Sequence, residues 1–115
     1  MASRKLDPAL RVDDLTRLEQ MPNIGPRLAR DLRMLGILKP SDLGGKDPHK
    51  LYLKLCKLTS EHHDPCVLDT FMAAVDFAGG SPPKPWWAFT AERKKRFPEC
   101  SVVFARRAEK SAKKG

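Results

Sequence analysis

The sequence predicts an all-α protein, an orthogonal bundle of five helical segments. Three observations carry that expectation. Apolar residues recur at three- and four-residue steps, as in Leu28, Leu32 and Leu35 or Leu51, Leu55 and Leu58. Prolines stand where helices begin, in Asp47-Pro48, Asp64-Pro65 and Gly25-Pro26, because the first helical position loses nothing by lacking an N–H and an aspartate before it accepts a free amide. Glycines stand where the periodic runs end, at Gly36 and at Gly79-Gly80.

Taken in order, residues 1–12 form an irregular lead-in in which Asp7-Pro8 is followed by too few apolar residues to secure a helix. Asp13 and Asp14 suit the positive end of a short first helix carrying Leu15, Leu18 and Met21. Met21-Pro22-Asn23-Ile24-Gly25-Pro26-Arg27-Leu28-Ala29 then reverses the chain, since Pro22 cannot extend the helix and Asn23 and Gly25 are residue types that reach positive φ cheaply. Pro26 opens a second helix that runs to Leu35. Its leucines share one stripe, and Arg27, Arg30 and Arg33 fan across the opposite face.

Lys39-Pro40-Ser41-Asp42-Leu43 makes a short connecting turn before Gly44-Gly45. Asp47-Pro48 starts a third main helix through Leu58, and Asp64-Pro65 starts a fourth whose inner face holds Val67, Leu68, Phe71, Val75 and Ala78. Pro82, Pro83 and Pro85 stiffen a spacer that delivers Trp86, Trp87 and Phe89. These aromatics are expected to fold back over the open face of the bundle, the alternative being that the tryptophans stack on unpaired bases. Cys100-Ser101-Val102-Val103-Phe104-Ala105 forms a marginal helix or orders on a partner.

A chain of 115 residues suits one domain with one core and is short for an enzyme with separate substrate and cofactor domains. No apolar run suggests a secretory signal or a membrane span, so a cytoplasmic protein is expected, without membrane association. Cys56, Cys66 and Cys100 are an odd number and are read as reduced thiols. The net charge is +8, of which residues 92–115 supply +6 through nine Lys or Arg against three Glu. Residues 91–115 are therefore set apart as a basic, flexible tail from a domain at 13–90. Such a tail attracts nucleic acid through long-range charge, or merely solubilises the chain.

A turn that feeds a helix start gathers unpaired N–H groups at the positive end of the helix dipole, which suits phosphate. Met21, Pro22, Ile24, Gly25 and Ala29 resemble the helix-hairpin-helix motif, with Asn23 where that motif commonly has its first glycine. The resemblance implies DNA as partner, held by its backbone without sequence readout. Asn23, Ile24, Gly25, Arg27 and Arg30 are then the contact residues, and no cofactor is expected beyond a possible monovalent cation on hairpin carbonyls. The plainer reading is a turn that only packs. The second turn, Ser60-Glu61-His62-His63, lacks glycine and is acidic at Glu61 and Asp64, so it reads as a degenerate partner hairpin. The whole then resembles a SAM-domain-like tandem.

Cys56, His62, His63 and Cys66 are chemically suitable for zinc, but adjacent histidines rarely converge on one ion and paired ligand spacings are absent. Cys66 beside a helix N-terminus could alternatively carry a depressed pKa and a reactive thiolate, or both cysteines could simply be small buried residues. No triad, phosphate loop or dinucleotide fingerprint is present, so an enzyme is the lesser expectation. A further alternative is a SAM-like protein-interaction module that uses the Trp86-Trp87 segment as its contact, with its protein partners unknown.

The linked strings Pro22-Asn23-Ile24-Gly25-Pro26, Asp31-Leu32 with Leu35-Gly36-Ile37, Asp47-Pro48 with Leu51-Tyr52 and Leu55-Cys56, and His63-Asp64-Pro65-Cys66-Val67-Leu68-Asp69 with Phe71 resemble one bacterial family. It is the helix-hairpin-helix family of pathogenicity-locus or mitomycin-resistance-like proteins, and the resemblance covers residues 15–89. It implies a small DNA-associated protein and a possible link to DNA damage. The Cys56 and His63-to-Cys66 elements belong to it too.

Overall fold

The computed structural model describes residues 7–97. Among them stand α1 (Pro26–Met34), α2 (Pro48–Thr59), α3 (Pro65–Ala78) and α4 (Thr90–Arg96), with no strand. They are joined by 3-10 turns at Val12–Asp14, Leu18–Gln20, Pro40–Leu43 and Trp86–Phe89. The apolar patch expected from Cys100 and the rest of the basic tail lie outside the described residues.

The first predicted helix is not α-helical. Its apolar residues are three apart, a spacing that the tighter 3-10 helix satisfies as well as the α-helix does. Arg17 is extended, and the Gln20 side chain turns back to accept the amides of Thr16 and Arg17 at 2.8 and 2.9 Å. Those amides thus find a side chain instead of a helical ladder. Leu18 and Met21 are nonetheless fully buried.

The proline-marked starts are as expected. Asp47 accepts the amides of His49 and Lys50 at 2.9 and 3.3 Å, and Asp64 accepts that of Cys66 at 2.9 Å. Gly36 takes φ 90° at the end of α1, which lets Ile37 N–H reach the Leu32 carbonyl at 3.0 Å. The corner at Pro40–Leu43 is fixed by Asp42, whose carboxylate accepts the amides of Leu38 and Lys39.

α3 runs through the centre. The sequence assigns it one inner face, but Leu68, Asp69, Thr70, Phe71, Met72 and Ala73 are consecutive and all buried. A helix buried round its circumference has neighbours on every side. Here α2 and the Pro40–Leu43 corner pack against it, and Trp86–Phe89 and α4 return over it. The spacer therefore does bring its aromatics back onto the bundle, with Trp86 and Phe89 half-buried and Trp87 left exposed.

One polar contact fastens that return. Asp69 is fully buried, and its carboxylate accepts the Arg93 Nε–H at 2.7 Å and the Thr90 hydroxyl at 2.7 Å. Arg93 itself is only 5% exposed. Arg93 falls in the stretch counted with the basic tail, yet it is an interior residue whose charge is spent on Asp69. Phe97, just past α4, stacks on His49 of α2 with centroids 4.3 Å apart.

Candidate nucleic-acid interface

The turn between Leu18–Gln20 and α1 hangs from the core by its apolar residues. Met21 and Ile24 are fully buried, and Ile24 N–H donates to the Met21 carbonyl at 3.3 Å. Ile24 thus closes and anchors the turn with both its amide and its side chain.

Asn23 takes φ 69°, the left-handed conformation that glycine would adopt at no steric cost. Asparagine adds something glycine lacks. Its side-chain N–H donates to the Lys84 carbonyl at 2.8 Å and its oxygen accepts the Trp86 amide at 3.2 Å. The departure from the motif is therefore a clamp between the turn and the Trp-bearing segment.

Gly25 is different from the expectation that it bends the chain at positive φ. It is extended, at φ −96° and ψ −176°, a conformation any residue can hold. A Cβ built there would meet nothing within 4 Å. The missing side chain leaves open space in front of the helix start. Among the described residues no acceptor takes the amides of Gly25, Arg27 or Leu28, while Ala29 N–H begins the ladder on the Gly25 carbonyl at 2.9 Å. Pro26 has no N–H to offer. The positive end of α1 is thus bare and sterically open, which is the geometry that favours an anion.

Arg27 and Arg30 are exposed and face no acidic partner among the described residues. Arg33 is not equally available. It grips Glu19 with both terminal nitrogens, at 3.1 and 2.8 Å, and its hydrogen bonds hold the Glu19 carboxyl down at about 2. Asp31 is buried on the same helix, a placement the expected cationic face did not include. The signal was present, since at about 100° per residue Asp31 lies roughly 40° from Leu35, flanking the leucine stripe. Asp31, Arg27 and Leu28 line one wall of a cleft of about 380 Å³ whose other wall includes Glu61, His63, Asp64 and Cys66. Glu61 and Asp64 give that side an acidic rim. An anion is disfavoured at that rim and favoured on the exposed side of α1, where Arg30 stands.

The Cys and His side chains of the second turn are occupied separately. His63 is buried, with Nε2 2.9 Å from the Thr59 hydroxyl and its carbonyl accepting the Tyr52 hydroxyl. His62 lies edge-on to the Tyr52 ring with centroids 6.4 Å apart. Cys56 and Cys66 are half-buried. Among the described residues no three His, Cys, Asp or Glu side chains are grouped to hold a metal ion. The zinc alternative of Cys56, His62, His63 and Cys66 therefore lacks its geometry.

The thiolate alternative reverses sign. Burial pushes the Cys66 thiol up to about 11, and the Asp64 carboxylate beside it pushes the same way through a hydrogen bond and its charge. Asp64 is in turn held below the usual carboxylate range, chiefly by the Cys66 amide. The helix N-terminus is thus already spoken for by its cap. In a chain with Cys56→Ala and Cys100→Ala, alkylation of Cys66 by iodoacetamide at pH 8 is expected to run roughly a hundredfold slower than that of an unhindered thiol, accelerating only towards pH 11. A fast reaction at pH 7 would contradict this assignment.

A family model described as Pathogenicity locus, Cdd1, matches residues 11–95. The "Mitomycin resistance protein McrB" of Streptomyces lavendulae is 40% identical over 82 residues, which are 71% of this chain and 78% of that relative. No solved structure matches the chain.

Proposed function

The chain belongs to the pathogenicity-locus family, and from that premise we propose that it binds DNA by the phosphate backbone, without reading sequence, through a helix-hairpin-helix at residues 21–29. The rest of the fold is then a SAM-domain-like scaffold in which the Ser60-to-Asp64 turn is a degenerate second hairpin. The observation that carries the proposal is the open approach at Gly25 to the unengaged amides of Gly25, Arg27 and Leu28.

Each residue has a defined part. The amides hold one phosphate, and Arg27 and Arg30 neutralise its neighbours. Asn23 and Ile24 keep the turn in shape from either side. Hydrogen bonds to phosphate fix position and carry no base identity, so affinity should be similar across sequences and fall with salt. The carbonyls of Pro22 and Asn23 accept no hydrogen bond among the described residues, and they would hold a monovalent cation that adds positive charge under the phosphate. The relative's name speaks of mitomycin resistance. We extend the proposal to a role in mitomycin resistance, on damaged DNA and in the cytoplasm. No helix among the described residues is long and apolar enough to cross a membrane.

The test is fluorescence anisotropy of labelled duplex and branched DNA against salt, with the full chain and with Gly25→Val. Valine suits the extended backbone, and its Cβ meets nothing within 4 Å, so the variant should keep its stability within about 0.5 kcal/mol. Its methyl groups would stand where the phosphate oxygens approach. Affinity is expected to fall at least tenfold while circular dichroism and the unfolding midpoint stay unchanged. Arg27→Gln with Arg30→Gln should reduce the slope of log K against log salt by roughly 2. Binding that ignores Gly25 and vanishes when Arg106, Arg107, Lys110, Lys113 and Lys114 are made Gln would reject the hairpin as the site.

A further inference from the structure

We propose that Trp87 is a stacking platform for an unpaired base of the strand whose phosphate the hairpin holds, which rests on the hairpin reading and gives it a preference for single-stranded or branched DNA. Trp87 is 62% exposed, although an aromatic of that size gains most from burial. It is also held firmly. Its 3-10 turn is closed by Ala88 N–H on the Pro85 carbonyl at 3.0 Å, and Pro85 fixes φ just before it. The Trp86 ring supports it edge-on, with centroids 5.7 Å apart and planes at 83°. An exposed ring with so little freedom to lose is well suited to contact.

Its place relative to the hairpin is set by Asn23. That side chain grips the Lys84 carbonyl and the Trp86 amide, so Trp87 begins one Cα step of about 3.8 Å beyond a backbone atom bonded to the turn. Asn23 is itself two residues before Gly25. A phosphate at Gly25 and a base on Trp87 are then within the reach of nearby nucleotides on one strand. Lys84, the nearest cation along the chain, pairs with Asp76 at 3.6 Å and lies over the Phe89 ring, so the segment offers an aromatic face more than a charge. Every base presents a π-face, which makes the platform tolerant of sequence, as the hairpin is. Bases inside a duplex have no free face to give.

The experiment uses the full chain. Trp86→Phe leaves Trp87 as its sole tryptophan. Titration with oligo-dT is expected to quench its emission, and titration with a blunt hairpin duplex at the same salt is not. Trp87→Ala should weaken oligo-dT binding about tenfold and leave duplex binding unchanged, with an unchanged circular dichroism spectrum. Equal loss on both DNAs, or tight oligo-dT binding without quenching, would overturn the platform and turn attention to a protein on that surface. Gly25→Val separates the two levels. If it abolishes binding while Trp87→Ala has no effect, the hairpin reading stands and the platform falls; if it changes nothing, the hairpin reading falls and takes the platform with it.

Discussion

Arg93→Ala is expected to lower the unfolding free energy by about 3–5 kcal/mol, read as a shift of the urea midpoint at unchanged slope. Asp69 has no access to water. With Arg93 truncated, its carboxylate would keep only the Thr90 hydroxyl, leaving a buried charge without its counter-ion. A domain of this size has about 5–15 kcal/mol in total, so the variant should be near the edge of folding at physiological temperature. The double replacement Asp69→Leu with Arg93→Met should recover most of the loss, because an apolar pair of similar volume avoids the desolvation cost of both charges. The contrast with Arg96 and Glu92 shows what decides the magnitude. That pair is as short, at 2.7 Å, but both side chains are about half exposed, and losing it should cost only about 0.3–0.5 kcal/mol. Burial sets the effect, not distance. A loss below about 1 kcal/mol for Arg93→Ala would show that α4 is not held through Asp69.

Phe71→Ala should be of comparable size, about 3–5 kcal/mol, through the cavity left in α3. Phe71 is fully buried in the middle of the one helix that is covered on every side, so its neighbours have no loose flank from which to collapse into the space. The same truncation at half-buried Phe89 meets solvent on one side and should cost less. Thermal and urea unfolding of the two variants would measure the ordering, and an equal loss would mean that the Trp86–Phe89 turn is as deeply integrated as α3.

What could be read from the sequence was local. Asp47-Pro48 and Asp64-Pro65 fix their helix starts with atoms two or three residues away, and Gly36 ends α1 by the same short-range chemistry. The stripe of Leu28, Leu32 and Leu35 is likewise a property of one helix. The readings that needed revision depend on partners far along the chain. Arg93 counts with the basic tail until Asp69, 24 residues earlier, is folded against it. Asn23 looks like a compromised glycine until Lys84 and Trp86 arrive. Residue type was also permissive where a specific conformation was assumed. Glycine can take positive φ at position 25 but does not, and its use there is the space it leaves. At Cys66 the helix dipole was read without the cap that accompanies it. Asp64 donates its negative charge to the same spot and wins.

The clamp at Asn23 joins points 61 and 63 residues apart, which makes it an event in time as well as a contact. On a ribosome adding roughly 5–20 residues per second, the turn would emerge roughly 3–12 s before the backbone that it must grip. Through that interval the left-handed residue would have to wait without its hydrogen bonds. The open end of α1 is thereby one of the last surfaces to be completed, and under the proposed function a nascent chain would not compete for DNA until nearly all of its fold had been made.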